Sequence, residues 1–218
     1  MAASDDRDAG SERPAPGGAL EARDARSRHA CAFFHGPDEE HRVLLPFIRE
    51  GLEQGEKALH IVDPRLRHEY VQRLRGSGID VARAEREGRF ELRDWNESYW
   101  LGDGRFDATR MLALLEEMLE GARRQGFPRT RLVSHMEWSK EDATGASEIA
   151  AYETRFNLAH PHCRDWIICA YDLSRFGADV VIDVMRTHPM ILVGGVLQEN
   201  PFFVPPEELL GELPERSR

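Results

Sequence analysis

The residues best placed to do chemistry lie in the loop between the first apolar run, His29 to Phe34, and the helix that follows it. In a nucleotide-binding unit this loop reads GxxxxGK[ST], and its backbone amides and lysine hold the phosphates. The loop here, His35-Gly36-Pro37-Asp38-Glu39-Glu40-His41-Arg42, keeps one glycine and has no Lys-Ser/Thr pair. Its three carboxylates would repel a nucleotide, which predicts a phosphate-loop architecture without phosphate chemistry. The same acids equally fit an ordinary helix start, with Asp38 as the N-cap.

A second group of polar and aromatic residues follows the later strands. In a parallel α/β sheet, ligands bind beyond the carboxyl ends of the strands. The helix after Trp138 also carries Glu153 and Asn157, which are four residues apart and therefore share one face. We predict a small-molecule site built from six residues, namely His35, Glu137, Trp138, Glu153, Asn157 and Tyr171. Two of them have equally simple structural explanations: His35 as a turn histidine, and Glu137 as the acceptor of a backbone N–H.

Metal and nucleophile chemistry have weaker support in the sequence. His160-Pro161-His162-Cys163 places three potential ligands in four residues, but zinc sites need further ligands at other spacings. Cys31 and Cys169 are expected on neighbouring core strands, where they cannot complete that motif. Cys169 lies in an apolar run, where a thiol is inert, and no GxSxG motif is present. The sequence therefore predicts no catalytic residue, no metal and no cofactor, and we expect that the protein is not an enzyme.

Alternating strands and helices position these residues. From His29 to Asp63 the chain reads strand, loop, helix, strand, with Leu44, Ile48 and Leu52 at helical spacing. Such a βαβ unit implies a parallel sheet. The later predicted strands are Ile79–Ala84, Phe90–Trp95, Thr130–Trp138, Trp166–Tyr171 and Met190–Val193. The later predicted helices are Arg65–Arg75, one capped by Asp107, one capped by Thr144 or Ser147, and Ala178–Arg186. The pattern is typical of one doubly wound, mainly parallel α/β domain.

Composition limits the class of protein and its setting. The formal net charge of the 218 residues is −10, which gives no general attraction for nucleic acid or an anionic membrane. No apolar run approaches the ~20 residues of a membrane span. The three cysteines have no CxxC spacing, which favours a reduced, cytoplasmic setting. We predict a disordered tail over 1–28, a folded domain over 29–206 and a polar tail over 207–218.

Several motifs together resemble a known family. PFIREGLEQGEKALHIVD resembles the start of KaiC/RecA-like ATPase domains, and the whole combination, covering residues 29 to about 206, resembles the MEDS (methanogen/methylotroph sensory) domain family. The matching features are His29-x-Cys31-x-Phe33-Phe34, GLEQGEKALHIVD, Met136-Glu137-Trp138, Tyr152-Glu153 with Asn157, Cys169-x-Tyr171-Asp172, His188-Pro189, and Asn200-Pro201 followed by aromatics. The resemblance implies a non-catalytic relative of those ATPases that senses small organic molecules.

The resemblance also implies a route for the signal. Members of the family are often fused to a DNA-binding or signalling module, and this sequence shows neither a helix-turn-helix nor a kinase module. We therefore predict a sensor that acts through a partner protein in transcriptional or signal-transduction control, without contacting nucleic acid or membrane itself. The segments Asn96–Arg105 and Asn200–Pro206 are the candidates to close over a ligand. The alternatives are a diverged nucleotide-binding, ATPase-like enzyme and a protein–protein interaction scaffold.

Overall fold

Strands and helices alternate along the chain in the computed structural model, which describes residues 28–98, 106–140 and 145–216. The strands are β1 (His29–Phe34), β2 (Lys57–Val62), β3 (Phe90–Asp94), β4 (Thr130–His135), β5 (Trp166–Asp172), β6 (Met190–Val193) and β7 (Val196–Glu199). The helices are α1 (Pro37–Glu53), α2 (Arg67–Gly76), α3 (Val81–Arg86), α4 (Trp95–Ser98), α5 (Ala108–Arg124), α6 (Gly145–Ala159), α7 (Ala178–Thr187) and α8 (Pro206–Arg216). A 3₁₀ turn covers Glu137–Lys140.

All seven strands form one sheet in the order β3-β2-β4-β5-β1-β6-β7. Every neighbouring pair is parallel except β6 and β7, which form an antiparallel hairpin at the edge. Strand β1 lies between β5 and β6, and Cys31 pairs with Cys169 across β1 and β5. The predicted doubly wound α/β fold, with these two cysteines on neighbouring strands, is confirmed.

The two faces of the sheet have separate apolar layers because side chains alternate along each strand. On one face, Cys31, Phe33 and Cys169 belong to a layer with α5, α6 and α7. On the other face, Ala32 and Phe34 belong to a layer with α1, α2 and α3. Strands covered on both sides read as nearly continuous apolar runs, as the central strands of this sequence do.

Four elements differ from the sequence prediction. The predicted strand Thr130–Trp138 ends at His135, because Glu137–Lys140 form a 3₁₀ turn. Ile79–Ala84, predicted as a strand, contributes instead to helix α3, because the Asp80 side chain accepts the Arg83 backbone N–H at 3.0 Å and starts a helix. The sheet does not end at β6, since Gly194 and Gly195 at positive φ (58° and 80°) turn the chain into β7. Residues 207–216 of the polar tail belong to helix α8, which buries Leu209.

Other predictions concern the ends of elements. Asp107 caps α5 as predicted, accepting the backbone N–H groups of Thr109 and Arg110. Of the two predicted caps of α6, Ser147 lies inside the helix and not at its start. Three other predicted features lie outside what the structure describes: the cap Thr144, residues 99–105 of the predicted closing loop, and the N-terminal 27 residues. None of the helices in the described part of the chain is long and apolar enough to cross a membrane.

Candidate functional site

An open cleft lies at the carboxyl ends of the strands, between the first turns of α1 and helix α2. It encloses about 550 Å³ of space, part of which is open to solvent. We call it the strand-end cleft; its lining residues are Pro37, Glu40, His41, Leu66, Glu69, Tyr70, Arg73, His135, Glu137, Asp172 and Arg175. In the phosphate-loop arrangement, this is where the helix N-terminus would hold phosphate.

A buried ion pair forms the floor of the strand-end cleft. His135 Nε2 lies 2.8 Å from Glu40 Oε1, and the His135 side chain is 7% exposed. Burial by itself favours the neutral imidazole, but Glu40, and then Glu137 and Asp63, outweigh it and raise the pKa of His135 to about 9. His135 is therefore an imidazolium at neutral pH.

Glu137 lies beside this ion pair at the end of β4. Its Oε1 accepts the backbone N–H of Asp172 at 2.9 Å, so the structural bond considered from sequence is present. Burial raises the pKa of the Glu137 carboxyl, although His135 acts in the opposite direction. Glu137 also lines the strand-end cleft, so this structural bond leaves its side chain at the surface of the cleft.

The acidic side chains at the start of α1 are engaged in local contacts. Gly36, not Asp38, occupies the N-cap position, and it makes no side-chain capping bond, so the N-cap interpretation of Asp38 is wrong. Glu39 accepts the His35 backbone N–H at 2.7 Å. Arg73, a cation of the cleft, is already paired with Asp38 at 2.5 Å and with Glu69 at 2.7 Å. These contacts differ from those of a phosphate loop, in which glycine N–H groups and a lysine face the phosphates.

A second group of polar side chains is buried on the opposite face of the sheet, and we call it the buried polar cluster. It consists of His29, Glu153, Asn157, Cys169, Tyr171 and His188, each at most 8% exposed. His29 begins β1, Cys169 lies on β5, His188 follows α7, and α6 supplies Glu153 and Asn157. A small apolar cavity, whose walls include Met111, Leu115 and Phe156, adjoins it.

Glu153 is the centre of the buried polar cluster. Its Oε2 lies 3.2 Å from His29 Nε2 and 3.7 Å from His188 Nε2, and its Oε1 accepts the Tyr171 hydroxyl at 3.3 Å. Burial opposes ionisation, but the two histidines hold the pKa of Glu153 below its usual range. Burial lowers the pKa of His188 to about 3 and raises that of the Cys169 thiol well above its usual value.

The six residues predicted as one site lie in two places. Glu137 lines the strand-end cleft, while Glu153, Asn157 and Tyr171 belong to the buried polar cluster on the other face. The other two predicted residues line neither: His35 is exposed, and Trp138 is fully buried and stacks on Phe106 with ring centroids 4.3 Å apart. The separation arises because α6 packs on the face opposite α1 and α2. Whether any of the six contacts a ligand stays a prediction.

Several residues of these two places were not found from sequence. His135 and Glu40 of the cleft lie on different elements and pair only because β4 reaches the start of α1. His29 begins β1 and His188 precedes β6, so neither lies at the carboxyl end of a strand, where ligands of such sheets bind. The structure buries His188 completely. The segment Asn200–Pro206 does not contribute to the lining of the cleft.

Comparison with known proteins identifies the family to which the chain is similar. The family profile described as "MEthanogen/methylotroph, DcmR Sensory domain" (MEDS) matches residues 28–189. The chain is 29% identical over 162 residues to the transcriptional repressor DcmR of Methylorubrum extorquens, an alignment that covers 73% of this chain and 57% of the repressor. The chain thus spans less than two thirds of the length of this curated relative. Among solved structures, the KaiC-like protein PH0186 of Pyrococcus horikoshii matches with a TM-score of 0.48 and 14% identity, over 75% of this chain and 69% of that one.

Proposed function

The chain belongs to the MEDS family of sensory domains, and we propose that it senses a small organic molecule that binds in the strand-end cleft. The family predicted from sequence motifs is confirmed by the match over residues 28–189. Because the relative DcmR carries the name of a transcriptional repressor, we place this sensing in the control of transcription or signalling.

The cleft itself carries the proposal, because it combines apolar walls with a polar floor. Pro37 and Leu66 form part of the walls, and His135 and Glu137 form the floor. Small-molecule sites are mostly apolar with a few placed polar groups that fix orientation. The imidazolium of His135 offers positive charge and the carboxylates of Glu40 and Glu137 offer acceptors. This favours a ligand with a short hydrocarbon part and one hydrogen-bonding group.

Signal transfer follows from the position of the cleft between two helices. His41 of α1 and Tyr70 of α2 line the same space, and Tyr70 also contacts His60 of β2, with its hydroxyl 2.8 Å from His60 Nδ1. A ligand that contacts these helices more favourably in one conformation than in another shifts the population toward the first conformation. We propose that a partner protein recognises the resulting position of α1 and α2.

The diverged ATPase remains the competing proposal, and the charges of the cleft oppose it. Glu40, Glu69, Glu137 and Asp172 face the space in which phosphates would lie. Carboxylates that lie close to a polyphosphate repel it and so disfavour its binding. The absence of a catalytic role stays a prediction, and the screen below tests it by including nucleotides.

A thermal-shift screen of the purified chain tests the proposal. The compounds are small halogenated, methylated and alcohol molecules, with ATP–Mg²⁺ and GTP–Mg²⁺ alongside. A ligand at a hundred times its Kd stabilises a fold by about 2.7 kcal/mol, so one or more organic compounds should raise Tm clearly. A shift with ATP–Mg²⁺ and none with the organic compounds would contradict the proposal.

Two glutamate variants then locate the binding. Glu137→Gln removes a charge from the floor of the cleft and should weaken the organic ligand at least tenfold. Glu120→Gln makes the same chemical change on the exposed surface of α5 and should leave the affinity unchanged. Equal affinities for both variants would place the ligand elsewhere.

A further inference from the structure

Four potential metal ligands of the buried polar cluster converge on one point. The donor atoms of His29, Glu153, Cys169 and His188 all lie within 4.8 Å of one another, and all four residues are buried. Three of the separations are 3.2 Å for His29 Nε2 to Glu153 Oε2, 3.5 Å for His29 Nε2 to Cys169 Sγ, and 3.7 Å for His188 Nε2 to Glu153 Oε2.

These three separations are close to those of a tetrahedral zinc site, and the remaining donor atoms lie within 4.8 Å of one another. Zinc lies ~2.0–2.2 Å from nitrogen or oxygen and ~2.3 Å from sulfur, so tetrahedral angles place neighbouring donor atoms about 3.3–3.6 Å apart. The cluster therefore has the size of the shell around one ion. Hydrogen bonding alone would not require all four donors to face the same point.

The outer hydrogen bonds fix both imidazoles in the form that binds metal. His188 Nδ1 lies 2.9 Å from the Val184 carbonyl, which can only accept, so Nδ1 carries the proton. The Asn157 amide donates to the Thr187 carbonyl, which turns its Oδ1 toward His29 Nδ1 at 2.9 Å. With Nδ1 engaged by these outer partners, each ring turns its Nε2 toward the cluster, the arrangement found around ligating histidines.

One of these nitrogens has no hydrogen bond of its own. His188 is 0% exposed, and its Nε2 has no hydrogen-bond partner among the residues that the structure describes. A buried polar atom without a hydrogen bond is costly, and a metal ion would satisfy it. Tyr171 completes the surroundings by donating to Glu153 Oε1, the oxygen on the far side from the histidines.

We propose that His29, Glu153, Cys169 and His188 bind one divalent transition-metal ion of the zinc class. Two imidazoles, one carboxylate and one thiolate suit zinc and cobalt rather than magnesium or calcium. Binding forms a metal–sulfur bond and releases the Cys169 thiol proton to solvent. The two anionic ligands then neutralise the 2+ charge, which suits a site surrounded by apolar side chains.

The site would connect β1, β5, α6 and the segment between α7 and β6, so the ion would stabilise the fold. The sequence predicted no metal, because these four ligands come from distant positions and share no spacing motif. The site lies on the face opposite the strand-end cleft. Metal binding and cleft binding can therefore fail separately.

Cobalt titration of the chelator-treated full chain tests the proposal. Addition of Co²⁺ should give one-equivalent binding, with the d–d bands of a tetrahedral ion and a thiolate charge-transfer band. Zn²⁺ should displace the cobalt and raise Tm. Absence of stoichiometric binding, or bands without thiolate character, would overturn the assignment.

Two cysteine variants and one measurement on the unmodified chain locate the ion. Cys169→Ser should remove the charge-transfer band, whereas Cys163→Ser, a change of the same type in the His160–Cys163 motif, should keep it. The opposite pattern would place the ion at that motif and refute the proposal. X-ray absorption of the zinc-loaded unmodified chain should show one sulfur and three nitrogen or oxygen ligands; any other sulfur count would refute it without depending on the folding of a variant.

Discussion

The ion pair on the floor of the strand-end cleft should make the stability of this protein fall at alkaline pH. Glu40 is the partner whose Oε1 lies 2.8 Å from His135 Nε2, and it contributes most to the raised pKa of that histidine. Glu40→Gln keeps the shape of the side chain and removes the charge. In this variant the burial of His135 should dominate and lower its pKa.

The sign and size follow from linkage. A histidine with a pKa of about 9 in the folded chain and about 6.5 in the unfolded chain contributes stability that is complete below pH 6.5. That contribution is lost as the pH rises through 9. Integration over the two pKa values gives a loss of about 2 to 3 kcal/mol between pH 6.5 and pH 9. Burial lowers the pKa of His60 and of His188 to about 3 in the folded chain, so these histidines affect stability mainly through their titration in the unfolded chain, which is the same in every variant compared below.

Urea denaturation at a series of pH values measures this loss. The unmodified chain and the surface control Glu120→Gln should show the same pH dependence, which includes the loss of about 2 to 3 kcal/mol from this ion pair. Glu40→Gln should be less stable at pH 6.5, and its free energy of unfolding should fall by about 2 to 3 kcal/mol less than that of the control between pH 6.5 and pH 9. If Glu40→Gln kept the pH dependence of the unmodified chain, the assignment of a raised pKa to the Glu40–His135 pair would be wrong.

Two further predictions concern the scaffold. Asp107→Ala removes the side chain that accepts the Thr109 and Arg110 N–H groups in the first turn of α5. Urea denaturation should show a loss of about 1 kcal/mol, and an unchanged free energy of unfolding would contradict this role of the cap. Arg131→Met leaves Arg129 as the remaining ion-pair partner of the buried Glu56 carboxylate. The same measurement should show a loss of about 3 kcal/mol in the free energy of unfolding, because the pair is buried. A loss of under about 1 kcal/mol, as is typical of exposed pairs, would contradict this prediction.

The sequence allowed the fold to be predicted because most elements follow from local patterns. Apolar runs such as Trp166–Tyr171 favour a strand irrespective of the strands with which they pair. The helical spacing of Leu44 and Ile48 likewise predicts a helix from the local sequence alone. The exception over Ile79–Ala84 arose from one side chain, since the cap made by Asp80 overrides the strand preference of the apolar residues that flank it.

The candidate sites were less predictable because they depend on strand order. His29 and His188 meet because β6 pairs with β1, and nothing in the local sequence reports that pairing. Glu153 and Asn157 were correctly predicted to share a helix face, but the sequence did not show on which side of the sheet that helix packs. His135 and Glu40 are likewise distant in sequence, and they pair only because the end of β4 lies beside the start of α1.

The most direct test of ligand binding in the strand-end cleft is amide mapping by NMR. The isotopically labelled chain would be titrated with an organic compound that raises Tm. The proposed function predicts chemical-shift changes concentrated at His41, Tyr70, Arg73 and Asp172, which line the cleft. Changes confined to residues around Glu153 on the opposite face would contradict binding in the cleft.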